Sequence, residues 1–268
     1  MKTIACLLFV LTLFSGCAAA EIHFISPSKE EGMPLSPTES VVFSESFVPD
    51  TLDRMIVGSD DRITADPCQY PYSAIAYMIV NAECGCSWSG SGFMAGKSLF
   101  MTAAHCMVCS THNKWADQIT FYFGYQSPKN YMCKYTGGWD AWVGDMFRNG
   151  YRTDNDYAYL MLKEKIGVGT GWFGLRYCGD EALKNGRYTV AGYRDGVLKY
   201  DRDRIGTVYD TTFTHYADAL PGNSGCPIFD ENNDVVGIHV AESQPMNYNI
   251  GVKMSDSLID SMFDNGIL

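Results

Sequence analysis

From Met55 onward the sequence is a succession of short apolar runs, each broken within a few residues by Gly, Asn, Asp or Ser. The runs at 73–80, 92–95, 119–123, 157–162, 187–191, 206–209, 227–229 and 234–240 have strand length and favour β-branched and aromatic side chains. Helical periodicity occurs in one stretch, 255–263. There Leu258, Ile259, Met262 and Phe263 share a face, and Ser255 or Asp256 supplies an N-cap. Closely spaced strands with one helix restrict the chain to an all-β barrel or sandwich architecture. At 268 residues there is enough chain for one large domain or two small ones.

The first twenty residues differ in kind. Lys2 precedes an apolar run from Ile4 to Phe14, and Ser15-Gly-Cys-Ala-Ala-Ala20 follows. A charged start, a short apolar core and small residues predict a secretory signal cut before Glu21, because the run is too short to span a bilayer. Residues 21–54 carry seven acidic against two basic side chains, are punctuated by prolines, and offer no hydrophobic period. Such a segment cannot bury a core of its own. It reads as a propeptide ending at Arg54, with a plain N-terminal arm as the alternative, and residues 55–268 as the working domain.

Ten cysteines are present, and Cys6 and Cys17 leave with the signal. The remaining eight are Cys68, Cys84, Cys86, Cys106, Cys109, Cys133, Cys178 and Cys226. An even set in an exported chain predicts disulfides, whose pairing the sequence leaves open. Cys84-Gly-Cys86 with Cys106-Met-Val-Cys109 also fits zinc, but bridging is the better expectation in an oxidising compartment, so no metal and no cofactor are assigned. A net charge of −11 argues against nucleic acid or an anionic membrane as partner.

Three fragments carry chemistry. Gly222-Asn-Ser224-Gly225 puts a serine between glycines, where the backbone turns tightly enough to aim successive N–H groups at one point. A serine hydroxyl needs a neighbouring base before it attacks anything. Thr102-Ala-Ala-His105-Cys106 offers one. Asp156, directly before the apolar run Tyr157–Leu162, offers a carboxylate to orient it, with Asp154 as a rival. The chain order His, Asp, Ser is that of one known class of hydrolytic triad.

These blocks, with Pro221-Gly-Asn-Ser-Gly-Cys-Pro227, resemble the signatures of chymotrypsin-fold serine proteases. Ile56-Val-Gly-Ser-Asp-Asp-Arg62 and Gly237-Ile-His239 are similar to the secreted glutamyl endopeptidase (V8 protease-like) branch. The likeness runs from about residue 55 to the C-terminus. It implies two antiparallel six-stranded β-barrels, at 55–166 and 167–254, then a C-terminal helix at 255–264, with the site in the cleft between barrels. It implies His105, Asp156 and Ser224 as catalytic residues and the N–H groups of Gly222 and Ser224 as an oxyanion hole. A bridge from Cys84 or Cys86 to Cys106 is implied as a brace for the histidine loop. The substrates implied are proteins or peptides, with a monomer acting outside the cell.

The resemblance also bears on specificity. His239 stands where the glutamyl branch binds a substrate carboxylate, and Lys253 falls near the same pocket. Asp218 stands where trypsin-like enzymes select Arg or Lys, with Glu242 as a further acid, and Ala219 replaces the usual threonine. Cleavage after Glu, and secondarily Asp, is the expectation; cleavage after Arg or Lys, or a protease fold that only binds, are the alternatives. Asn223 replaces the aspartate that pairs with a new N-terminus in trypsin-like zymogens, so that ion pair has no partner here.

Overall fold

Pairing of the short apolar runs, rather than any single run, decides the architecture. The structure is a computed structural model and describes residues 22–25, 56, 59–144, 153–243 and 247–267. In chain order the strands are β1 (Ile22–Ile25), β2 (Ile63–Thr64), β3 (Ile75–Ala82), β4 (Ser87–Met94), β5 (Leu99–Thr102) and β6 (Val108–Cys109). β7 (Lys114–Phe123), β8 (Cys133–Tyr135), β9 (Trp139–Gly144), β10 (Ala158–Leu162), β11 (Gly174–Leu175) and β12 (Arg187–Arg194) follow. β13 (Val197–Val208), β14 (Thr212–His215), β15 (Pro227–Phe229), β16 (Asp234–Ser243) and β17 (Tyr248–Lys253) complete them. Two short helices, α1 (Gly167–Thr170) and α2 (Asp180–Asn185), and the terminal α3 (Asp256–Asp264) are added.

The strands form two bodies, antiparallel throughout except that the short β11 runs parallel to β16 at the edge of the second. In the first, β9, β10, β5, β4, β3 and β7 pair in that order and curl, with β8 and β6 on β7. In the second, β16, β15, β12, β13, β14 and β17 pair in sequence and β17 returns to β16, which closes a six-stranded barrel. This is the trypsin-like two-barrel plan. β2 pairs with β13, so the chain touches the second barrel before it enters the first. β1 lies antiparallel along β9, Ile22 opposite Gly144 and Ile25 opposite Ala141, adding a strand from the segment read as structureless in sequence. The rest of 1–54 lies outside the described residues.

Period-two patterning explains the strands. Along β3, Met78, Val80 and Ala82 are buried while Tyr77, Ile79 and Asn81 are half-exposed. β12 and β13 join through Asp195-Gly196, both left-handed with φ 50° and 76°, the two-residue turn whose twist matches a hairpin. Strands such as β9, β14 and β17 escape a reading of single runs. β14 and β17 are short or carry polar residues, and their strand character comes from their neighbours.

One apolar cluster runs through both bodies, and a second, around Phe213, lies within the second barrel. Phe173, on the connection between them, stacks edge-on against Phe93 of the first at 5.7 Å and packs on Phe229 of the second at 5.0 Å. Helix α3 starts at Ser255, whose Oγ accepts from the N–H of Leu258. It buries Leu258 and Met262, whereas Phe263, expected on that face, is 58 % exposed. The helix reaches back to the first barrel: the Tyr159 hydroxyl of β10 donates to the Ser261 carbonyl and accepts from the Asn265 amide. Among the described residues no helix is long and apolar enough to cross a membrane.

Phe213 of β14 fills the second barrel so closely that a side chain at Gly237 or Gly251 would run into its ring. Phe213→Ala should cost about 3–5 kcal/mol, as for other buried aromatics. Urea denaturation of the purified chain measures it, and a loss below about 1 kcal/mol would mean that the barrel collapses to fill the void.

Candidate active site

The loop Pro221–Cys226 of the second barrel is pressed against β4 and the Thr102–His105 segment of the first. Gly222 and Gly225 take φ 100° and 84°, values that a side chain resists. Gly225 is also needed for space, since a Cβ there would strike Thr102 Oγ1 and the Ser91 carbonyl. The carbonyl of Ser224 accepts from the N–H of Ser91 at 2.9 Å. The Ser91 hydroxyl donates to the Gly222 carbonyl (2.8 Å) and accepts from the N–H of Tyr193 (2.9 Å). Thr102 Oγ1 in turn donates to the Ser91 carbonyl at 2.7 Å.

Within the loop, Asn223 is a brace. Its Oδ1 accepts from the Leu220 N–H at 2.8 Å and its amide donates to the Tyr193 carbonyl at 3.3 Å. The N–H groups of Asn223, Gly225 and Cys226 are taken by the carbonyls of Leu220, His239 and Asn223. Among the described residues those of Gly222 and Ser224 donate to nothing, so both remain available to an incoming oxygen.

His105 sits in a single 3-10 turn, Ala104–Met107, that follows β5 directly. Its Nδ1 lies 2.7 Å from Oδ2 of Asp156, and its own N–H donates to Oδ1 of the same carboxylate at 2.9 Å. Asp156 is fully buried, whereas 29 % of the imidazole's surface is exposed. Burial works to lower the imidazole's pKa, but the Asp156 charge and hydrogen bond outweigh it and hold it well above the usual histidine range. Asp154, in the turn before, is not the carboxylate bonded to His105. Among the described residues no hydrogen bond joins Ser224 Oγ to the ring. An imidazole fixed at Nδ1 by a buried carboxylate leaves Nε2 to take up a proton, and a loop with two unspent N–H groups lies against the same segment.

His239 follows from the loop, since its carbonyl holds the Gly225 N–H and its own N–H donates to the Cys226 carbonyl at 3.0 Å. Its buried ring is kept neutral, with burial and then the charge of His105 taking its pKa down to about 3. Behind it lies His215 of β14, Nε2 3.2 Å from His239 Nδ1, also buried and held low. His215 was not singled out in sequence, since a lone histidine in a short strand announces nothing. Nor was Ser91, one serine of the run Ser87-Trp-Ser-Gly-Ser. Glu242 is raised by burial, against the lowering charge of His105, and so belongs to the same surroundings.

The remaining residues are placed differently. Lys253 gives its ammonium to Asp180 and to the Tyr209 carbonyl, each at 3.1 Å, and among the described residues makes no bond to His239 or Asp218. Asp218 is buried, its N–H donates to Asp201, and its carboxylate lies within 4.8 Å of those of Asp61 and Asp201. Ala219 is wholly buried. All eight cysteines from Cys68 to Cys226 are thiols. Instead of meeting Cys84 or Cys86, Cys106 turns its Sγ toward the Ser224 carbonyl at 3.5 Å.

A family model described as the trypsin-like peptidase domain matches residues 90–238, which include His105, Asp156 and Ser224. Among solved structures the fold is similar to a Glu endopeptidase in complex with MPD, at 20 % identity over 78 % of this chain and 98 % of that one, with a TM-score of 0.65. It is also similar to the protease Anisep from Arthrobacter nicotinovorans, at 16 % identity over 75 % and 97 %, TM-score 0.57. HL collagenase matches at 15 % identity over 78 % and 99 %, TM-score 0.59. No curated protein matches the sequence.

Ser91→Ala would strip partners from the Tyr193 N–H and the Gly222 carbonyl. Leaving buried groups unpaired costs about 1–3 kcal/mol, read as a lower urea midpoint. Reaction of Ser224 with an organophosphate should slow in the same variant. Wild-type values in both assays would show that the loop stands without the hydroxyl.

Proposed function

The chain belongs to the trypsin-like peptidase family and is a serine protease, and on that premise we propose that it cuts peptide bonds with Ser224, His105 and Asp156, and cuts them after Glu. The observation that carries the mechanism is the 2.7 Å contact of His105 Nδ1 with the buried Asp156 carboxylate. Held so, the imidazole takes the Ser224 proton at Nε2 as the hydroxyl attacks the substrate carbonyl. It then returns that proton to the leaving amine, and water repeats the cycle on the acyl-enzyme. The N–H groups of Gly222 and Ser224 receive the oxyanion, a contribution of roughly 3–4 kcal/mol per donor. The enzyme works outside the cell in a form that starts at Met55, as the leader and the acidic segment before Arg54 support.

Ser224→Ala and His105→Ala should lower turnover by about 10⁴–10⁶ with the fold retained, and full turnover by purified Ser224→Ala would sink the mechanism. The pH profile follows from the sign of the His105 shift. Only the neutral imidazole accepts a proton, and Asp156 holds its pKa up, so kcat/KM should climb as pH rises through that raised value. Asp156→Asn removes the charge; the climb should move to lower pH while turnover falls about 10⁴-fold. A limb that stays put would separate Asp156 from the titration. N-terminal sequencing of the active secreted form should read from Met55, and a fully active form starting at Glu21 would discard the propeptide.

Specificity for Glu rests on the two histidines. A neutral His239 acts as a hydrogen-bond donor, not as a standing cation. In the tautomer in which His215 Nε2–H donates to His239 Nδ1, the His239 Nε2–H is left for the substrate carboxylate. A buried donor left unpaired by Arg or Lys, which carry no acceptor, discriminates by its desolvation, and Gln accepts only a neutral bond in place of the stronger charge-assisted one. Matched peptides differing only in Glu, Gln, Arg or Lys before the scissile bond test this. Glu should be preferred, and His239→Ala should depress Glu cleavage far more than it lowers the melting temperature. A preference for Arg or Lys that vanishes in Asp218→Asn would assign the choice to Asp218 instead.

A further inference from the structure

Four donor side chains outside the cleft converge. Cys84 and Cys86 flank Gly85 at the tip of the β3–β4 hairpin. There Gly85 takes φ 81°, and the turn is closed by bonds from its N–H to the Ala82 carbonyl and from the Ala82 N–H to the Cys86 carbonyl. Cys109 ends β6 and His112 lies in the turn into β7, closed by left-handed Asn113 donating to the Cys109 carbonyl at 2.8 Å. Pairing of β3 with β7, Ala82 opposite Ala116, sets the two turns side by side. The three sulfurs and the ring of His112 then present ligand atoms that all lie within 4.8 Å of one another. His112 Nδ1 is 3.3 Å from Cys86 Sγ and 3.6 Å from Cys109 Sγ.

We propose that Cys84, Cys86, Cys109 and His112 form a closed structural zinc site joining the two hairpin tips. Tetrahedral Zn²⁺ with sulfur at about 2.3 Å and nitrogen at about 2.0 Å sets its ligand atoms about 3.5–3.8 Å apart, so the group needs to contract by about an ångström at most. Donor number and type also match: three thiolates and one imidazole fill the shell and leave no open position, as in structural rather than catalytic sites. A disulfide would use two of the three sulfurs and strand the third beside the imidazole. Only a metal employs all four. Binding releases the three thiol protons to solvent, His112 binding neutral through Nδ1. Cys109 follows His105 by four residues, so the ion also anchors the downstream end of the segment that carries His105.

The full chain, purified under reducing conditions without chelators, should hold one zinc per chain by atomic emission. His112→Ala and Cys109→Ser should fall toward zero, and Cys68→Ser and Cys178→Ser should keep one. Because the first two variants risk misfolding, Co²⁺ added to the reduced, metal-free wild-type chain gives a second reading. Thiolate-to-cobalt charge-transfer bands with the strong visible absorption of tetrahedral cobalt are expected. No binding of either ion overturns the proposal. So does zinc retained at one equivalent in Cys109→Ser, or a disulfide among Cys84, Cys86 and Cys109 mapped in the unreduced, freshly purified protein.

Discussion

Ser91 ties the serine loop of one barrel to the strands of the other. Its N–H, hydroxyl and carbonyl together hold Ser224, Gly222, Tyr193 and Thr102. All of these groups are buried or nearly so, where an unmade hydrogen bond costs its full desolvation. Bonds of that kind act as a register pin: the loop has one position in which every group is satisfied. Gly225 completes the constraint by letting the backbones approach where a side chain would not fit. Everything proposed for Ser224 depends on that contact, because the hydroxyl and the imidazole arrive from different barrels.

Charge in the site is concentrated on one buried carboxylate. Asp156 gives one oxygen to the ring and the other to the backbone N–H of His105, and so fixes the ring's orientation as well as its protonation. His215 and His239, more deeply buried and without a hydrogen-bonded carboxylate, go the other way and stay neutral. Three histidines in one region thus divide into one with a raised pKa and two held neutral. His215 and His239 are buried, the His105 ring is part-exposed, and the Asp156 carboxylate on His105 sets it apart.

The two barrels share one apolar interior through Phe93, Phe173 and Phe229, and α3 crosses back to Tyr159. The second barrel also keeps a cluster of its own around Phe213, Ile205 and Ile228.

Much was legible in the sequence because it is written in local terms. Short apolar runs such as 73–80 and the Ser255 cap each depend on residues a few positions apart, so the all-β class and the terminal helix follow from the chain itself. The blocks around His105, Asp156 and Ser224 stand out because each pairs a reactive residue with neighbours of unusual type. Other features depend on partners far along the chain, and only the tertiary structure decided them. Ser91 and His215 have no local mark; their importance comes from Gly222 and His239, 131 and 24 residues away. Lys253 reads as a pocket cation in the linear sequence, yet Asp180, 73 residues earlier, has taken its charge. Cys84, Cys86 and Cys109 group with Cys106 in the linear reading, yet Cys106 turns toward Ser224 and His112 joins the other three. Strand pairing across more than twenty residues makes them neighbours, and no local period encodes that distance.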